Sequence, residues 1–130
     1  PYRLVENATL LGMADVLLLP TRGQQSLTAV PSKLIAYLLS ARPIIALAVA
    51  ESDLAELVDL SGAGWIVEPD RPDLLAATIK EILSKDRSEL QRKGAMGREF
   101  ALQNLTEKAC LPRVLAIIEQ VAIRHGTPTL

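Results

Sequence analysis

Three short runs of uninterrupted apolar residues punctuate this chain: Val16-Leu17-Leu18-Leu19, Pro43-Ile44-Ile45-Ala46-Leu47 and Trp65-Ile66-Val67. Between them lie longer stretches in which apolar residues recur every three or four positions. Short apolar runs bounded by polar or turn residues read as buried strands, and the three-to-four spacing reads as helices with one apolar face. Strands are therefore expected at residues 15–19, 43–47 and 65–67. Helices are expected at residues 3–14, 31–40 and 53–60, then in a stretch that Asp70 can cap and that ends at Ser84, then at 86–102 and 106–124.

Several residues sharpen these assignments. Leu4, Ala8, Leu11 and Met13 form the apolar face of the first helix. The second is apolar around most of its circumference (Leu34, Ile35, Tyr37, Leu38, Leu39), so it is expected to be covered on two sides. Ser52 is the expected N-cap of the third, with Asp53 and Glu56 in its favourable first turn. Gly94 and Gly97 make the middle of the fifth the least clearly helical part of it, and Pro112 is expected to interrupt the last. Gly126 and Pro128 end it, leaving residues 125–130 as a frayed tail.

Apolar strands alternating with helices imply a parallel sheet covered on both faces, hence an α/β fold. Three strands followed by three helices fit the C-terminal half of a doubly wound, Rossmann-like domain. Ligands in such folds sit outside the carboxyl ends of the strands. Residues 19–30, with the helix start at Pro31, and residues 49–53 would converge on that edge.

The start of the second helix carries the clearest chemistry. Pro31 suits a first helical position, where its missing N–H is no loss. Ser32 and Lys33 follow, with backbone N–H groups that have no partner inside a helix. A cation there opposes the helix dipole at a cost of about 0.3–1 kcal/mol, and a bound anion would reverse the sign. Free N–H groups, a hydroxyl and an ammonium together suit a phosphate. A solvated lysine and an ordinary helix start explain the same residues without a ligand.

Composition narrows the function classes. The chain is 49% hydrophobic, 22% charged and only 3% aromatic, with a net charge of −1. That balance, without a basic stripe or interleaved aromatics, argues against a nucleic-acid surface. The longest apolar run, residues 43–50, is too short to span a bilayer, and no signal-peptide pattern opens the sequence. The lone Cys110 excludes an intrachain disulfide and reads as a small core residue. A cytoplasmic setting is expected. His125 has no second histidine or acid pair beside it, Trp65 reads as a core or interface ring, and no metal-ligand cluster is visible.

Ala14-Asp15-Val16-Leu17-Leu18-Leu19-Pro20, Pro31-Ser32-Lys33-Leu34 and Ser40-Ala41-Arg42-Pro43 recur in this order and spacing in a known family. Glu51-Ser52-Asp53-Leu54-Ala55-Glu56-Leu57, Ser61-Gly62-Ala63-Gly64, Pro72-Asp73-Leu74-Leu75 and Met96-Gly97-Arg98-Glu99 extend the match to about residue 124. The chain resembles the C-terminal, donor-binding domain of GT-B glycosyltransferases of the family 4 (group 1) type, in a subgroup with a Pro-Ser-Lys-Leu signature. The resemblance implies transfer of a sugar from a UDP- or GDP-linked donor, with no metal and no cofactor required. It makes residues 1–124 part of a nucleotide-sugar-binding domain.

In that family two glutamates eight positions apart approach the donor sugar and the ribose. Their places here are Thr28 and Ala36, neither of them acidic. The intervening amides that hold the diphosphate fall on Ser32 and Lys33, with Thr28, Val30 and Pro31 implied near the sugar or in the loop. Arg22 is a lesser candidate for a phosphate, Asp53 for a sugar hydroxyl, and Glu56 matches a family glutamate. The family's glycine-rich loop and acceptor domain have no counterpart here, so the chain is expected to be part of a longer protein and inactive alone. Attachment to a membrane surface in that protein, and self-association of this piece through an exposed strand edge, are further expectations. A GT-B-fold nucleotide-sugar epimerase and a non-catalytic α/β module remain as alternatives.

Overall fold

The computed structural model describes residues 4–21, 27 and 29–124, with side chains from residue 7 on. In chain order the elements are α1 (Leu4–Met13), β1 (Leu17–Leu19), α2 (Lys33–Leu39), β2 (Ile44–Leu47), α3 (Asp53–Ser61), β3 (Gly64–Val67), α4 (Pro72–Leu83), α5 (Arg87–Asn104) and α6 (Glu107–Arg124). The strands form one open parallel sheet in the order β1-β2-β3. Leu17 stands beside Ile44, which stands beside Gly64, and Leu19 lies level with Ala46 and Ile66. This is the expected α/β architecture. The expected tail, residues 125–130, lies outside the described residues.

Both crossovers step the same way along the sheet, so right-handed connection puts α2 and α3 on one face. There Leu19, Ile44 and Ala46 pack with Leu34 and Leu38 of α2 and Leu54 and Val58 of α3. The other face holds a smaller core, in which Ile45 and Val67 meet Ile82 of α4, with Trp65 and Leu90 at its rim. Lys93 of α5 stands over the Trp65 ring, 5.0 Å from its centre. Coverage is two-sided at β2 and incomplete at β1, where Leu18 is 44% exposed. Among the described residues, β1 pairs with β2 alone and its other edge has no partner strand.

Helix α5 crosses the amino end of the sheet. It runs unbroken through its two glycines, which are its points of closest approach. A β-carbon on Gly94 would collide with the Ala41 carbonyl in the turn before β2. One on Gly97 would lie 2.6 Å from the Ala63 side chain, just before β3. Beyond the glycines, Ala101 joins the larger core, while Leu90 on their other side reaches the smaller one.

Helix α2 packs against both the sheet and α5, with Leu34 and Leu38 buried and Tyr37 and Leu39 half-buried, while Ile35 and Ala36 face outward. Other expectations shift in detail. Met13 does not belong to the apolar face of α1 and is 77% exposed. Asp70 does not cap α4. It has a φ of 60° in the preceding turn, Arg71 takes the N-cap position, and Pro72 opens the helix. Pro112 does not break α6, which continues through it to Arg124. The interval from Glu107 to Pro112 already exceeds a helical turn, so the proline removes one internal hydrogen bond without dividing the helix. No residue of α6 is buried. Cys110 is half-buried at the α5–α6 corner, where its thiol donates to the Asn104 carbonyl.

Candidate functional site

The carboxyl ends of the strands are knit together by short local bonds. Ala48 N–H donates to the Val67 carbonyl at 3.0 Å, joining the exits of β2 and β3. The Thr21 hydroxyl donates to the Leu47 carbonyl, joining the exits of β1 and β2. The loop after β1 and the loop after β2 thus start from one edge, as the strand pattern implies. Thr21 itself was not legible as a site residue. A threonine after Pro20 reads as any polar loop residue until β2 is placed beside it.

The turn after β2 is closed on itself. Ser52, only 2% exposed, donates its hydroxyl to the Val49 carbonyl at 2.6 Å and accepts from Ala55 N–H at 3.1 Å. It is the N-cap of α3, as expected, and its hydroxyl proton is already engaged. Asp53 and Glu56 are exposed in the first turn of that helix.

The Ser32-Lys33 segment differs from expectation in where the helix begins. Pro31 precedes α2, and its carbonyl accepts from Leu34 N–H at 2.9 Å. Ser32 has helical dihedrals (φ −57°, ψ −26°) and makes no side-chain capping bond. Ser32 and Lys33 are exposed, and Val30 is exposed beside them. Among the described residues, neither the Ser32 hydroxyl nor the Lys33 ammonium has a hydrogen-bond or ion-pair partner, and the first turn carries no acid. An unpaired ammonium next to a helix start is electrostatically open to an anion. Ala36, at the place of the second family glutamate, is exposed on the same helix. Thr28 and Arg22 lie outside the described residues, as does His125.

A groove of about 400 Å³ runs between α1 and α2, lined by Asn7, Leu11, Lys33, Ala36 and Tyr37. It continues past Leu39 and Ser40 to Arg98 of α5. Arg98 donates to the Leu39 carbonyl at 3.2 Å, and Ser40 donates its hydroxyl to the Tyr37 carbonyl at 2.6 Å. Sequence patterning missed this groove, because it depends on how far α1 stands from α2. Near it, Arg42 donates to the Gly12 carbonyl and so closes the carboxyl end of α1 from a distance.

A charged pair marks the turn after β3. Arg71 grips Asp73 with two hydrogen bonds of 2.9 and 2.7 Å. The Arg71 guanidinium lowers the Asp73 carboxyl to about 2, and in return its own proton is held more tightly. Both side chains are exposed and satisfied by each other.

Among the described residues, no helix is long and apolar enough to cross a membrane. No protein-family model matches the chain, and no solved structure matches it significantly. The sequence is similar to the "Probable glycosyltransferase WbjE" of Pseudomonas aeruginosa, at 30% identity over 115 residues. The aligned part is 88% of this chain and 28% of that protein. The chain is therefore related, over most of its own length, to a probable glycosyltransferase, of which it spans little more than a quarter.

Proposed function

We propose that this chain forms the lower part of the donor site of a GT-B glycosyltransferase, and that Ser32 and Lys33 hold the diphosphate of a nucleotide-sugar. The observation that carries the reading is the relationship to a probable glycosyltransferase along 88% of the chain. The parallel sheet, with its loops meeting at the carboxyl edge, supports it, as does the unpaired Lys33 at the start of α2.

Sugar transfer breaks the bond between the anomeric carbon and the diphosphate, so negative charge develops on the leaving oxygen. Lys33 and the neighbouring N–H groups would meet that charge, and positioning would supply the rest. Val30 and Pro31 would flank the sugar, with Thr28 approaching it from the loop. The acceptor site would belong to the remainder of a longer protein, consistent with coverage of 28% of the relative. The donor would carry a UDP or GDP group, and the work would take place in the cytoplasm or at a membrane's cytoplasmic surface.

The test is donor turnover by the complete gene product. A hydrogen bond to a charged group is worth about 1.5–3 kcal/mol, so Lys33→Ala should lower kcat/KM for the donor by roughly 10- to 100-fold. Lys33→Arg should recover part of the loss. Unchanged donor use in Lys33→Ala would remove Lys33 from the site, and sugar-epimer interconversion without acceptor would replace transfer as the reaction.

A further inference from the structure

We draw no further inference here: the strongest candidate, the apolar stripe along α6 from Leu111 to Val121, is an uncovered helix face, and nothing in the structure shows what covers it.

Discussion

The carbonyl of Ala41 occupies the place that a side chain on Gly94 would need, and Ala41 itself adopts a φ of 56° to present it. The turn before β2 is therefore fitted to a helix that is far away in sequence. One alanine accepts a left-handed backbone, and one glycine gives up a side chain.

Gly94→Ala should destabilise the protein despite alanine's better helix propensity. Alanine gains about 1 kcal/mol over glycine in a helix, but forced overpacking costs about 1–3 kcal/mol and here the obstacle is backbone. A net loss of about 1–2 kcal/mol in urea unfolding is expected. Gly12→Ala is the contrasting variant, since nothing beyond its own stretch of helix backbone lies within 4 Å of its added carbon. It should leave stability unchanged or raise it by up to about 1 kcal/mol. Equal effects at the two positions would contradict the packing of α5.

Ala41→Gly should stabilise. A β-carbon in the left-handed region costs about 1–2 kcal/mol, while glycine adds about 0.4–1 kcal/mol of unfolded-state freedom. The difference predicts a gain near 0.5–1 kcal/mol, read as a higher denaturation midpoint with an unchanged slope. A lower midpoint would mean that the turn does not hold this conformation.

Ser52→Ala should cost about 1 kcal/mol, because the Ala55 N–H loses its acceptor. Faster hydrogen exchange should appear first at the start of α3. Ser52→Thr keeps the oxygen and should recover most of the loss. If alanine and threonine behaved alike, the capping bond would contribute nothing.

The Asp73 carboxyl should titrate near pH 2 rather than near 3.8, and Arg71→Gln should return it to the ordinary range. A folded-state pKa below the unfolded one means that the pair's contribution to stability is complete above the unfolded value. It is lost as pH falls through the folded value. Both partners are exposed, so the effect on unfolding should be small, and the side-chain carboxyl resonance is the decisive readout. An unshifted midpoint in the parent protein would mean that the two bonds to Arg71 do not persist in solution.

Local chemistry in the sequence reveals some of this fold and hides the rest. Ile44 to Leu47 declare a strand because consecutive branched and apolar residues suit burial on both sides. Ser52 declares a cap because its bond closes within four residues. Asp70 carries the same type of polar group and fails as a cap, since its backbone turns left-handed before Arg71 and Pro72. Gly94 and Gly97 look like weak points in isolation, because their worth lies in Ala41 and Ala63, which sequence periodicity cannot bring near. Ser32 and Lys33 stand out by type and position, whereas the Thr21 bond and the groove beside Lys33 depend on neighbouring elements.

The crossing of α5 over the strand origins gives the sheet two unlike ends. At one, two glycines bring the helix directly onto the Ala41 carbonyl and the Ala63 side chain, so little can change there without shifting a whole helix. At the other, besides one main-chain bond from Ala48 to Val67, the ties are the Thr21 hydroxyl bonded to the Leu47 carbonyl, a serine-closed turn and an arginine–aspartate clasp, each replaceable alone. Divergence should therefore be lopsided: the loops at the carboxyl edge can be rewritten for a different ligand while the opposite rim keeps the strands in register.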